Sequence, residues 1–228
     1  MKKLCCLLLS VGLCIAGQVM ATPSTIMVIR HGDKLDQTAA GSGLSAVGYA
    51  RAVKFLSYFK TNMLDTHVIL PANVFLVAFN PKGECSKTTS KCTIDPGHSS
   101  SDRALETLSP LEDYLQAQDS NNNHAIIDPY GSEDYKKLAH VVLNDPTFDG
   151  KFVVICWEHK AIPALLQDLG VTLPVNEKGP QWKWPDDNFD GVYLLQFDSK
   201  GLLVSAVFTE HEYPVNLHLT WDQINASL

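Results

Sequence analysis

Six short apolar runs punctuate the chain, at Thr25–Arg30, Val74–Phe79, Ala125–Asp128, Phe152–Trp157, Val192–Phe197 and Leu202–Phe208. Their length and their β-branched and aromatic content predict strands. Between most of them the apolar positions recur at helical spacing. Leu44 to Met63 is amphipathic, with Ser45 placed to cap its start. Ser101 to Gln116 carries Leu105, Leu108, Leu111 and Leu115 on one face, and Glu133 to Leu143 gives a third helix. Ile162 to Leu169 gives a fourth, ended by Gly170. Strands alternating with helices predict an α/β fold: a three-layer α/β/α sandwich with a mostly parallel central sheet of about six strands and helices on both faces. The last two strands follow each other across Asp198–Gly201, which predicts an antiparallel hairpin at the sheet edge. Polar stretches rich in Gly and Pro mark loops at Gln37–Gly43, Asn80–Ser100, Gln118–Asn123 and Val175–Asp190, none of which reads as a linker between domains.

The N-terminus follows a different rule. Met1-Lys2-Lys3 is basic, Leu4 to Gly17 is apolar, and Val19-Met20-Ala21 offers compact residues where a signal peptidase reads. The expectation is a signal peptide over 1–21, a single domain over 22–228, a secreted or periplasmic location and no membrane span after cleavage. Losing Lys2 and Lys3 moves the formal net charge from −7 to −9. That acidity, with no basic stripe, argues against a nucleic-acid partner. Of the six cysteines, Cys5, Cys6 and Cys14 leave with the leader. An exported protein can keep a disulfide, and Cys85–Cys92 is the expected pair, with Cys156 a buried thiol. The cysteine spacing and the absence of a nearby histidine pair speak against a zinc site.

The chemistry sits at strand ends. In α/β sheets ligands bind beyond the carboxyl ends of the strands. The first run ends in Arg30-His31, and His159 follows the fourth by two residues. Arg103 opens the helix after the second run and its loop. The chain has three arginines against fifteen lysines, and two of the three are Arg30 and Arg103. Arginine's rigid fork suits bidentate capture of phosphate or carboxylate, for which lysine is a poor substitute. Two arginines and two histidines converging on one rim make a cationic pocket suited to a phosphoryl group. One imidazole can act as nucleophile, while the arginines supply charge stabilisation without a metal or cofactor.

Four ordered segments resemble the histidine phosphatase superfamily, the phosphoglycerate mutase-like and histidine acid phosphatase-like proteins. They are Arg30-His31-Gly32; "GLSAVGYARA" at 43–52, similar to Leu-Ser-x-x-Gly-x-x-Arg-Ala; "SSSDRALET" at 99–107, similar to Ser-x-x-x-Arg-Ala-x-x-Thr; and "VVICWEHK" at 153–160. The resemblance implies that His31 is the phosphorylated nucleophile and that Arg30, Arg103 and His159 clamp the phosphoryl oxygens. It implies that Lys34 touches the substrate phosphate. It places the general acid at Glu133, after the third strand, with Asp128, Glu158 and Asp33 as alternatives. Trp182, Trp184 and Phe189 are expected either to wall the pocket mouth or to pack against the sheet edge, and Asp186 or Asp187 to contact a substrate. His98 is the remaining histidine closest in sequence to Arg103, and Asn225-Ala-Ser fits a glycosylation sequon.

The expected activity is that of an exported phosphomonoesterase acting on a small phosphate ester or other phosphorylated substrate through a phosphohistidine. The alternative is a non-catalytic relative that binds a phosphate or similar anion.

Overall fold

The computed structural model describes residues 22–34, 43–66, 69–80, 102–176, 179–215, 220 and 222–223. The leader, Cys85, Cys92, His67, His98, His218 and the Asn225 sequon lie outside the described residues.

Four strands run parallel: β1 (Thr25–Arg30), β2 (Val74–Phe79), β3 (Ile127–Tyr130) and β4 (Phe152–Trp157). The hairpin strands β7 (Val192–Phe197) and β8 (Leu203–Thr209) extend the sheet antiparallel, in the order β3-β2-β4-β1-β7-β8. A separate two-stranded ribbon, β5 (Val175–Asn176) and β6 (Gly179–Pro180), lies inside a segment expected to be loop. Ile26–Ile29 and Phe152–Trp157 are buried along their whole length. An unbroken apolar run is what a strand covered on both faces requires.

The helices are α1 (Ala46–Phe59), α2 (Arg103–Gln118), α3 (Tyr135–Asn144) and α4 (Ile162–Asp168). α1 packs on α2, and α3 packs on α4. The crossovers through α1 and α2 step the sheet one way and the crossover through α3 steps it back. With right-handed connections, that puts the two pairs on opposite faces. The Ser45 hydroxyl accepts from the Gly48 N–H at 3.0 Å and caps α1, whose final turn continues as a π-helical segment over Lys60–Leu64. Gly170, at φ +95°, follows α4 and donates its N–H to Gln167 O.

β3 begins two residues later than the apolar pattern predicts. The Ala125 and Ile126 N–H groups go to Asn123 Oδ1 and Glu112 Oε1 rather than to β2. The third helix starts at Tyr135, so Glu133 lies in the turn before it. Among the described residues no helix is long and apolar enough to cross a membrane.

Candidate active site

The sheet order brings the carboxyl ends of β1, β4 and β2 side by side, with β7 entering antiparallel at the same rim. Arg30 pairs in register with Trp157, and Ile29 with Val192. The segments after β1 and β4 and the loop before β7 therefore meet in one place.

His31 is 2 % exposed. Its backbone N–H donates to Trp157 O at 3.2 Å, and its ring lies edge-on to Phe79. The ring Nδ1 is 2.9 Å from the Gly32 carbonyl, which can only accept, so Nδ1 carries the proton and Nε2 keeps its lone pair. Burial pushes His31 down to about 3, with the nearby charge of Arg103 and then those of Arg30 and His159 acting in the same direction. The imidazole is therefore neutral at neutral pH, with Nε2 unprotonated.

Arg30 is held from the far side of the sequence. Its Nη1 donates to the carbonyls of Asp186 at 2.6 Å, Pro185 at 3.2 Å and Asn188 at 3.4 Å. Its guanidinium carbon lies 3.7 Å from the Phe189 ring centroid. Burial lowers Arg30 to about 10, leaving it a cation at neutral pH. Its Nε is buried without a partner. A buried donor lacking an acceptor is costly, and an anion's oxygen would satisfy it.

Arg103 opens α2 and is lowered by burial, with Glu158 and Glu106 working against that shift. His159 is pushed down to about 4, first by burial and then by the charge of Arg30, with Asp186 opposing. His159 Nε2 lies 3.3 Å from Asp186 Oδ1. Lys34 is exposed three residues after His31 and forms an isolated antiparallel bridge with Leu44.

The approach of α1 to the segment after β1 depends on glycine. A Cβ at Gly48 would stand 2.3 Å from Asp33 O, and one at Gly32 would stand 2.9 Å from Gly48 O. The Gly32 N–H donates to Thr107 Oγ1 at 2.9 Å, and that hydroxyl donates to Arg103 O at 2.6 Å. One threonine thus ties the loop that carries His31 to the start of the helix that presents Arg103.

The other carboxylates proposed as general acid are engaged elsewhere or set apart. Asp33 accepts from Arg51 Nε at 2.6 Å, and Asp128 accepts from Asn80 Nδ2 at 2.6 Å. Glu158 is the strongest attractive charge on Arg103. Glu133 stands in the turn beyond β3, the outermost strand on that side. The Trp157 indole donates to Ser132 O at 3.0 Å and draws this turn against the end of β4.

Sequence reasoning quoted Arg51 in a motif without giving it a role, and did not foresee the backbone carbonyls that hold Arg30. Arg51, 5 % exposed, bridges Asp33 and Asp190, with Nη1 3.3 Å from Asp190 Oδ2. The available signal was its rarity, as the third arginine of a lysine-rich chain. Asp186, expected to contact a substrate, lies against His159, and the carbonyls of Pro185, Asp186 and Asn188 hold Arg30. No side-chain pattern announces a carbonyl. Of the three aromatics, Trp182 and Trp184 pack on Phe208, and Trp182 also on Tyr193, against the β7–β8 hairpin, while Phe189 reaches the site.

No protein-family model matches the chain, and no curated protein matches it in sequence. Among the solved structures similar to it are two SixA proteins. One is a SixA protein from Agrobacterium tumefaciens, described as a phosphohistidine phosphatase, with a TM-score of 0.41 and 14% identity over 81% of this chain and 97% of that one. The other is the protein histidine phosphatase SixA in complex with tungstate, with a TM-score of 0.40 and 14% identity over 81% and 94% of the two chains. Identity this low leaves the functional reading to the chemistry of the site itself.

Proposed function

We propose that the chain is a phosphomonoesterase of the histidine phosphatase type, with His31 as the nucleophile. The observation that carries this reading is the state of His31. It is buried and neutral, its Nδ1–H is anchored on the Gly32 carbonyl, and its Nε2 lone pair is available. A neutral imidazole among cations is poorly suited to binding an anion by charge, and well suited to attacking one.

The roles follow from the neighbours. Nε2 of His31 attacks phosphorus as the ester bond breaks, and water then releases phosphate from the phosphohistidine. Arg30 and Arg103 carry the charge spread over the phosphoryl oxygens. His159, on the adjoining strand end, donates through Nε2 to a phosphoryl oxygen. Lys34, exposed at the rim, meets the substrate's outer charge. A proton must also reach the leaving oxygen, and Glu133 and Asp186 are the carboxylates at hand. The substrate class is a small phosphate ester whose organic part lies outside the buried nucleophile. The leader-like N-terminus supports a place outside the cytoplasm.

The test is hydrolysis of 4-nitrophenyl phosphate by residues 22–228 between pH 4 and 8 with EDTA present, beside His31→Ala. Turnover that survives EDTA and disappears in the variant supports the reading. Equal turnover in both proteins removes His31 as nucleophile. No turnover with retained tungstate binding makes the site an anion-binding one.

A further inference from the structure

We propose that Asp186 is the residue that protonates the leaving oxygen, an inference that rests on the phosphatase reading above. Asp186 is tied to two members of the phosphate clamp at once. Its backbone carbonyl accepts from Arg30 Nη1 at 2.6 Å, and its carboxylate lies 3.3 Å from His159 Nε2. The main chain is therefore held at the site while the side chain is 96% exposed. In an in-line displacement the leaving oxygen lies opposite the nucleophile. His31 is at the buried floor, so the leaving oxygen faces the mouth. Asp186 stands at that mouth.

The competing carboxylates are less well placed. Asp33 is committed to Arg51 and Asp128 to Asn80, while Glu158 serves Arg103. Glu133 stands in the turn after β3, which the Trp157–Ser132 contact draws against the end of β4, but it makes no hydrogen bond or ion pair to Arg30 or His159 among the described residues, so it is the rival that the experiment tests directly.

The chemistry balances in two steps. First, the His31 Nε2 lone pair forms the N–P bond as the P–O ester bond breaks. The leaving oxygen keeps the bonding pair and takes the Asp186 proton, and the alcohol departs from an Asp186 carboxylate. Second, a water oxygen bonds to phosphorus and gives a proton back to Asp186. The N–P bond breaks, its pair returns to Nε2, and inorganic phosphate leaves. Between turnovers the carboxylate rests against His159 Nε2. When a phosphoryl oxygen takes that donor, the Asp186 carboxyl is freed to face the leaving oxygen.

The experiment compares Asp186→Asn and Glu133→Gln with the unmodified 22–228 chain on two esters at pH 5. The esters are 4-nitrophenyl phosphate, whose leaving group needs no proton, and ethyl phosphate, whose leaving group does. Asn preserves the shape and the contact to His159, so a purely positioning role survives this substitution. The expected result is a loss in kcat/KM of about 100-fold on ethyl phosphate and less than about tenfold on the nitrophenyl ester. An equal loss on both esters, no loss on either, or the ester-dependent loss appearing in Glu133→Gln instead would each overturn the assignment. If the unmodified chain hydrolyses neither ester, the phosphatase reading itself has failed. That outcome is distinct from a working enzyme indifferent to Asp186.

Discussion

The Arg30 guanidinium stacks over the Phe189 ring at 3.7 Å while its Nη1 is occupied by carbonyls of the same loop. One face and one nitrogen of the clamp are thus held by residues more than 150 positions downstream. The stack pre-sets the plane of the guanidinium, which is the quantity a bidentate phosphate contact needs.

Phe189→Leu keeps an apolar side chain of similar bulk and removes the ring face. A partly desolvated cation–π contact is worth about 1 kcal/mol, so stability should fall by about that much. The kcat/KM for 4-nitrophenyl phosphate should fall about fivefold through a less ordered Arg30, by the same contact energy. Steady-state kinetics and urea unfolding check both, and unchanged kinetics would remove Phe189 from the account of the clamp.

Arg51 connects Asp33, two residues after His31, to Asp190, at the foot of the Arg30-holding loop. Both ends of Asp190 are used, since Oδ1 also lies 3.2 Å from His211 Nδ1. Arg51→Met strands the buried Asp190 carboxylate and leaves the partly exposed Asp33 without its partner, and breaking a buried pair in this way costs about 3 to 5 kcal/mol. Adding Asp190→Asn to Arg51→Met should recover part of the loss. Urea midpoints of the single and double variants decide it, and purely additive effects would mean the two residues are not coupled.

Gly48→Ala places a methyl group against the backbone of Asp33, which has no rotamer to yield. The segment 31–33 must move away from α1, carrying His31 with it. The expected result is a destabilisation of about 1 to 3 kcal/mol together with a fall in kcat. A variant as active and as stable as the parent would show that α1 can retreat instead.

The two site histidines make stability depend on pH in a definite direction. His31 is held at about 3 and His159 at about 4, both below the ordinary 6.5. The unfolded chain therefore binds protons that the folded chain refuses. This contribution is complete above pH 6.5 and is lost as pH falls from there toward the folded values. The slope is at most about 1.4 kcal/mol per pH unit for each group. His31→Asn removes one of the two terms, so its urea midpoint should fall less steeply than the parent's between pH 6.5 and 4. Parallel curves would contradict a buried neutral His31.

The main elements of the sheet were legible because their signals are local. A strand covered on both faces needs an unbroken apolar run, and Thr25–Arg30, Val74–Phe79, Phe152–Trp157 and Val192–Phe197 begin and end where their hydrophobicity does. The start of β3 was not legible. Whether Ile126 joins the ladder depends on Glu112, a residue of the preceding helix that claims its N–H.

The sequence alone determined which charged and imidazole side chains stand at which strand ends. Charged residues closing a buried strand have few structural uses, and arginine is rare in this chain. Only the tertiary structure decided how that chemistry is held. It joins Arg30 to Phe189 and the 185–188 carbonyls, Arg51 to Asp33 and Asp190, and Asp186 to His159. These partners lie 18 to 159 positions apart. Three of these seven contacts are to backbone oxygens, which every residue possesses. Such contacts follow from the packing of β7 beside β1, which no local pattern encodes.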